Sequence, residues 1–178
     1  MTRTALDTES SWFDDNEMAE LRRKLPILYV DIVPVRLDSY GTISEVGLLL
    51  RADGAGRIVR SLVSGRVLVH ESLREAIIRH VEKDLGSVAW PKPPASLTPF
   101  TVAEYFPTPG ISAFVDARQH AVSLAYIVPV EGDCAPQQDA LELGWFAADT
   151  LASSPVMEEM QDSHAIILRR ALATGGII

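Results

Sequence analysis

Side chains that can carry charge or bind a metal ion are concentrated in one segment, residues 65–86. They are Glu71, Arg79, His80, Lys83 and Asp84. Apolar residues recur within this segment at helical spacing, which predicts a helix over residues 72–85 that ends at Gly86. The recurring residues are Leu73, Ala76, Ile77 and Val81. Because positions three and four apart are neighbours on a helix, His80, Lys83 and Asp84 are predicted to share one face.

This face is a poor site for a hard metal ion. Asp84 offers the oxygen ligands that Mg²⁺ prefers, whereas His80 suits softer ions such as Zn²⁺ or Mn²⁺. Lys83 places a positive charge where a cation would bind. Glu82 and Glu75 do not compensate, because they lie about 200° and about 140° around the helix from His80. We therefore expect this face to bind a hard metal ion weakly or not at all, with Asp84 and His80 as the ligands if a metal binds.

The segment resembles the Nudix box, G-x5-E-x7-R-E-U-x-E-E-x-G-U, where U is a bulky aliphatic residue. Five positions match without a gap: Gly65, Glu71, Arg79, Val81 and Gly86. Asp84 replaces the last box glutamate, and His80 and Lys83 stand at the other two. Ser87 replaces the final aliphatic residue, and residues 141–146 resemble the acidic strand before the last helix of the family. The resemblance covers most of residues 27–173.

The resemblance implies a metal-dependent reaction on a diphosphate. In the family, carboxylates on the box helix hold Mg²⁺ or Mn²⁺, which polarises the diphosphate toward attack by water. The ligand-binding candidates that it implies are Gly65, Glu71, Arg79, His80 and Lys83. Asp84 and Glu142 are the catalytic candidates, and Asp139 is an alternative to Glu142 as the general base that orients water. A solvated loop is the other interpretation of Asp139 and Glu142.

Two of these residues have a further interpretation. Glu71 and Arg79 are eight residues apart, and an ion pair between them would hold the loop against the helix, as the scaffold pair of the family does. Lys83 is hypothesised to replace the charge of the metal and to pair with a phosphate or carboxylate of the ligand. The alternative is a salt bridge with Asp84 or a solvated lysine.

Other polar and aromatic residues favour structural roles. His70 lies in a predicted surface loop, and His120 and His164 have no partner at metal-ligand spacing. Trp90, within a proline-rich stretch, is compatible with stacking on a nucleobase but more typical of packing against a sheet. Core packing is also the preferred interpretation of Tyr105, Phe106 and Trp145.

The elements around the segment predict an α/β fold. Alternating and continuous apolar patterns predict strands over residues 27–37, 44–51, 57–63, 98–106, 121–130 and 143–146. Helices are predicted over residues 16–24 and from residue 155 onward, the latter broken near residues 162–163. Strands with helices placed early, centrally and late indicate a Nudix-like α/β/α sandwich around a mixed sheet. Residues 1–13 are expected to be flexible and residues 14–178 to form a single domain.

Bulk composition excludes some functions. The net charge of −8 opposes binding to a nucleic acid polymer, and no apolar run reaches the roughly 18 residues of a membrane helix. The single cysteine, Cys134, and the lack of a signal-peptide pattern favour the cytoplasm. The expected partner is a phosphorylated small molecule, with a homodimer as a further expectation from the family resemblance.

Two functions follow from this pattern. In the first, a Nudix domain with a degenerate box binds a nucleoside-diphosphate-like or other phosphorylated molecule, with weak or no pyrophosphohydrolase activity and no cofactor. In the second, the chain is an active hydrolase of nucleoside diphosphate derivatives that uses Mg²⁺ or Mn²⁺ through Asp84 and acids outside the box. A domain that serves only dimerisation is a third interpretation.

Overall fold

A computed structural model describes residues 13–177 of the chain. The predicted flexible segment therefore lies outside the described residues, apart from the half-exposed Phe13. The helices are α1 (Asp15–Lys24), α2 (Leu73–Leu85), α3 (Ala148–Leu151) and α4 (Asp162–Thr174), with a 3-10 helix at Pro155–Glu158. The strands are β1 (Ile27–Leu37), β2 (Ile43–Ala52), β3 (Ile58–Ser61), β4 (Val63–Arg66), β5 (Ala89–Pro91), β6 (Thr101–Phe106), β7 (Phe114–Val115), β8 (Ala121–Gly132) and β9 (Ala140–Ala147).

The strands within residues 13–177 form one mixed sheet. Its main order is β3-β2-β1-β8-β6-β7, while β4 pairs with β1, β5 with β8 and β9 with β2. The β1–β8 and β6–β7 pairs are parallel, and the other pairs are antiparallel. The sequence prediction of a mixed sheet is confirmed.

Apolar side chains on both faces of the sheet are covered by helices. Ile77 and Val81 of α2 pack in one core with Val30 of β1. Leu168 of α4 belongs to a second core that contains Val33 of the same strand. Successive strand residues point to opposite faces, and β1 is apolar in both directions because both faces are buried. The predicted α/β/α sandwich is confirmed.

The sheet divides near its centre and leaves a cleft. One end of β1 (residues 29–32) pairs with β4, whereas its other end (residues 35–37) pairs with β2. β2 in turn pairs with β3 through residues 49–52. The chain passes from β3 to β4 at Leu62, so the two strands follow different partners and diverge. This division brings polar residues of β1, β3 and β4 to the walls of one cleft.

Several short elements were not predicted from the sequence. Residues 57–63 were expected to form one strand, but β3 ends at Ser61 and β4 begins at Val63. β5, β7 and α3 have at most four residues each, too few to show a period. The predicted break in the last helix is confirmed, since the 3-10 helix ends at Glu158 and α4 begins at Asp162. Within residues 13–177, no helix has the length and apolar character needed to cross a membrane.

Candidate functional site

The box helix α2 begins at a reciprocal cap. Ser72 Oγ accepts a hydrogen bond from the Glu75 N–H, and the Glu75 carboxylate accepts one from the Ser72 N–H. Such a cap satisfies backbone donors that the first turn leaves free. The helix ends at Gly86, whose φ of 96° lies in the left-handed region that favours glycine. Both ends of the predicted helix are thus fixed by local sequence.

Glu71 and Arg79 join the loop to α2, as the sequence predicted. Arg79 Nε and Nη2 donate to the two Glu71 oxygens at 2.6 and 2.8 Å, and Nη2 also donates to the Arg66 carbonyl at 3.0 Å. Burial by itself raises the pKa of Glu71, but hydrogen bonds from Arg79 and from the Leu68 N–H outweigh it and lower that pKa. Both side chains are used in holding the loop, and this scaffold positions the rest of α2.

His80 is built into the core rather than presented to a ligand. Its ring is buried, and Nε2 lies 3.0 Å from the Arg66 carbonyl, so Nε2 carries the proton and donates it. A methyl group added at Gly65 would lie 1.8 Å from His80 Cε1. Burial is the largest cause of the lowered pKa of His80. Gly65 therefore makes room for the imidazole that replaces a box glutamate.

Asp84 is a buried carboxylate between two cations. Arg51 Nη2 donates to Asp84 Oδ2 at 3.1 Å, and Lys83 Nζ lies 3.8 Å from Asp84 Oδ1. The Arg51 guanidinium also lies 3.9 Å from Asp139. A charge removed from water requires compensation, which Arg51 provides here. The lysine side chain is 45% exposed, so it keeps access to solvent and to ligands.

These residues do not fit the divalent metal that the fold family implies. Asp84 Oδ1 and His80 Nδ1 accept no hydrogen bond, but an oxygen and a nitrogen fall well short of the hard oxygen ligands that Mg²⁺ prefers. Among residues 13–177, no three His, Cys, Asp or Glu side chains are grouped closely enough to hold a metal ion. Two cations already flank Asp84, the one carboxylate among the three metal-ligand positions of the box, so no step through a metal follows from this geometry.

The second catalytic candidate, Glu142, is not brought to Asp84. Its carboxylate lies 3.3 Å from Arg60, which also donates to Glu159 at 2.8 Å. This ion-pair group ties β3 and β9 to the segment before α4. Asp139, the alternative acid, is the one that approaches the box helix, through Arg51. The structure thus associates Asp139 rather than Glu142 with Asp84.

The cleft, which is bounded by the diverging strands and by α4, has a polar base. Its volume is about 650 Å³, within the range of small-molecule sites. At its base Asp31 is buried, with Ser64 Oγ donating to Oδ1 at 2.5 Å and Tyr105 Oη donating to Oδ2 at 3.1 Å. Burial raises the pKa of Tyr105, and the Asp31 carboxylate raises it further. Arg51 lines the same cleft, which connects the base to Asp84.

His164 closes this base from α4. Its Nδ1 accepts a hydrogen bond from the Leu62 N–H at 3.1 Å, so the neutral ring carries its proton on Nε2, 3.7 Å from Asp31. Burial lowers the pKa of His164, Asp31 opposes this effect, and Arg51 adds to it. Its structural interpretation from the sequence is compatible with the Leu62 contact. The Asp31 contact shows that it also shapes the cleft.

The exposed rim of the cleft is formed by two arginines paired with acids. Arg57 binds Asp53 at 2.8 Å, and Arg118 binds Asp116 at 2.9 Å. The two guanidinium side chains are 75% and 68% exposed. Each guanidinium has five N–H donors, and an aspartate occupies only part of them. The rim therefore keeps donors that suit an anionic group.

The cleft residues were not predicted from the sequence, for a specific reason. Asp31 interrupts an otherwise apolar, β-branched strand, and a carboxylate in a strand buried on both faces needs hydrogen-bond donors around it. That was the available signal. Its partners Tyr105 and His164 come from distant elements. Of the aromatic candidates, Trp90 is 61% exposed on β5, whereas Phe106 stacks on His120 at 4.5 Å.

The buried His164 gives a testable pH dependence. The folded protein keeps this ring neutral at pH values where the unfolded chain, with a pKa of about 6.5, takes up a proton. Protons therefore favour the unfolded state, and the free energy of unfolding should fall below about pH 6.5, by at most about 1.4 kcal/mol per pH unit for this group. His80, whose pKa is also lowered, adds to the slope.

Urea unfolding between pH 7.5 and 5 would measure this slope, those pH values bracketing the histidine pKa of about 6.5. His164→Asn, whose amide oxygen can still accept from Leu62, should flatten the slope. His70→Asn changes an exposed loop histidine with a φ of 62° that asparagine tolerates, and it should keep the wild-type slope. An unchanged slope in His164→Asn would mean that His164 does not titrate in this way.

Comparison with known proteins places this geometry in a family. A family model described as "Domain of unknown function (DUF4916)" matches residues 8–177. No curated protein matches the chain. A possible asymmetric diadenosine tetraphosphate hydrolase from Jonesia denitrificans DSM 20603, known from a crystal structure, is 57% identical. That match covers 86% of this chain and 96% of the other, with a TM-score of 0.82.

More distant structures share the fold. The NUDIX domain of NrtR from Shewanella oneidensis, crystallised with ADP ribose, is 17% identical over 95% of this chain and 98% of that one, with a TM-score of 0.61. A MutT NUDIX hydrolase from Burkholderia pseudomallei is 20% identical over 83% and 98% of the chains, with a TM-score of 0.57. The chain therefore belongs to the DUF4916 family, and it shares the fold of these NUDIX structures.

Proposed function

We propose that this chain binds a phosphorylated, nucleotide-derived small molecule in the cleft, without a divalent metal, and hydrolyses it weakly or not at all. The observation that carries the proposal is the position of Arg51 and Lys83 beside Asp84. In this arrangement two side-chain cations supply the positive charge near the box helix. A protein cation can hold a phosphate through charge-assisted hydrogen bonds, but it does not generate the metal-activated water of a Nudix hydrolase.

The ligand class is supported by relatives and by the cleft itself. The Shewanella domain was crystallised with ADP ribose, and the Jonesia protein is described as a possible diadenosine tetraphosphate hydrolase. Both compounds carry phosphates between nucleoside or sugar groups. The exposed Arg57 and Arg118 offer donors for phosphates at the rim. Arg51 lines the cleft and shares Asp84 with the half-exposed Lys83, so Lys83 is the third proposed phosphate contact.

A thermal-shift measurement with ADP ribose and diadenosine tetraphosphate, each with and without Mg²⁺ or Mn²⁺, tests this function. A ligand that binds only the folded state raises the free energy of unfolding, by about 2.7 kcal/mol at a ligand concentration of one hundred times its Kd. The unfolding midpoint rises accordingly. We expect a shift without metal and about tenfold weaker binding in Lys83→Ala, because one charge-assisted hydrogen bond is removed. Lys92→Ala is the matched control, since this exposed lysine pairs with Glu131 outside the cleft.

An active hydrolase is the second candidate. It is favoured by the 57% identity to the Jonesia protein and by the approach of Asp139 to Arg51. This function requires that the ligand shift depend on metal and that nucleotide products appear over time. Metal-dependent product release, measured by chromatography, would show that the chain is a hydrolase rather than a binding domain. Ligand binding in the presence of a metal chelator, with no product formed, would exclude the hydrolase function for the compounds used.

A further inference from the structure

Two hydroxyl groups at the base of the cleft lack hydrogen-bond partners. Ser61 Oγ and Ser123 Oγ are buried and unpartnered, and both residues line the cleft. The hydroxyl of Ser64, which also lines the cleft, does have a partner, because it donates to Asp31. Buried hydroxyls without partners destabilise the free protein. Because they face a cleft of ligand size, a ligand that enters it can supply the missing hydrogen bonds.

Asp31 determines which chemical group can reach this base. Its carboxylate accepts from Ser64 and Tyr105, and a carboxylate has about four acceptor positions. The imidazole of His164 also lies at the base of the cleft, with its Nε2 3.7 Å from Asp31 Oδ1. The negative charge would repel a phosphate. A group bound here must therefore carry no negative charge and must donate hydrogen bonds, as sugar hydroxyls and nucleobase amines do.

The rim has the opposite preference, because Arg57 and Arg118 favour an anion there. We propose that the cleft binds a nucleoside phosphate in one orientation, with its phosphates at the cations of the proposed function, Arg57, Arg118 and Lys83, and the donors of its nucleoside at Ser61 and Ser123. This orientation rests on the proposed function, since it assumes that the ligand is phosphorylated. It assigns a nucleoside subsite to two serines outside the box.

Calorimetric titration of the full chain with ADP and with inorganic pyrophosphate tests the orientation. Pyrophosphate reports on the phosphate contacts alone, whereas ADP reports on those contacts and on the base of the cleft. The variant Ser61→Ala/Ser123→Ala should bind ADP about tenfold more weakly, because two neutral hydrogen bonds are lost. Its affinity for pyrophosphate should stay within about twofold of the wild type. Ser44→Ala is the matched control, a half-buried strand serine that donates to the Arg36 carbonyl outside the cleft.

Thermal unfolding distinguishes a role of the two serines in ligand binding from a role in stabilising the fold. Removing unpartnered buried hydroxyls should leave the midpoint of the free double variant unchanged or higher. A lower midpoint, with ADP and pyrophosphate weakened equally, would overturn the proposal, since the serines would then support the fold. Unchanged affinity for both compounds would overturn it too, while leaving the proposed function intact. If the wild type binds neither compound, the proposed function fails and the orientation fails with it.

A third compound separates the two sources of donors. Ribose 5-phosphate carries sugar hydroxyls without a base. If the double variant weakens ribose 5-phosphate and ADP by the same factor, Ser61 and Ser123 contact the sugar. If only ADP is weakened, they contact the base. Either result supports the nucleoside subsite.

Discussion

Replacing Arg51 with glutamine is expected to lower the free energy of unfolding by about 3 kcal/mol, the low end for breaking a buried ion pair. Asp84 is fully buried, and its carboxylate accepts a hydrogen bond from the Arg51 guanidinium. Without the guanidinium, the carboxylate keeps only Lys83 at 3.8 Å. The cost arises mainly from leaving a charge in the interior without compensation.

A second variant identifies the origin of this cost. Arg51→Gln/Asp84→Asn removes the buried charge together with its partner, so it should recover part of the stability that Arg51→Gln loses. Urea unfolding of the two variants and the wild type measures both changes.

Arg57→Gln is the control for the Arg51 experiment. Arg57 pairs with Asp53 in the same region, but its side chain is 75% exposed, and solvent screens an exposed ion pair, so Arg57→Gln should cost much less stability than Arg51→Gln. If Arg51→Gln costs no more than this control, Asp84 does not depend on Arg51. The contact between Arg51 and Asp84, on which the proposed function depends, would then contribute little to stability.

Local patterns account for the parts of the fold that the sequence predicted. The bounds of β1 coincide with the apolar run over residues 27–37, and α2 begins within one residue of its predicted start at 72. In both cases the burial pattern and the end signals lie within the element itself. The Glu71–Arg79 ion pair was also predictable, because the loop and helix that join them are contiguous.

The cleft could not be predicted in the same way, because its parts meet only through tertiary contacts. Leu62 and His164 are hydrogen-bonded across 102 residues of sequence, and that contact depends on how α4 docks on the sheet. The division of residues 57–66 into β3 and β4 depends on which partner strand is nearest, which no local pattern encodes. Asp31 gave a signal, but its donors could not be named without the topology.

Replacing Gly65 with alanine is expected to cost about 3 kcal/mol, the upper end for overpacking a core. The new methyl group would lie 1.8 Å from His80 Cε1. The imidazole cannot turn away freely, because it is buried and donates to the Arg66 carbonyl. Gly54→Ala is the control, since nothing lies within 4 Å of a methyl group there, and it should be nearly neutral.

A double-mutant cycle with His80→Ala distinguishes packing from other roles of Gly65. His80→Ala alone should cost about 2–3 kcal/mol through the cavity and the lost hydrogen bond. In Gly65→Ala/His80→Ala the new methyl group occupies space that the ring has left, so the double variant should be more stable than the sum by about 2 kcal/mol. Additive losses in urea unfolding would contradict this packing account. Additivity would mean that the His80 ring is not the reason for glycine at position 65. Contact with a ligand, as the family resemblance implied, would then be the better explanation of Gly65.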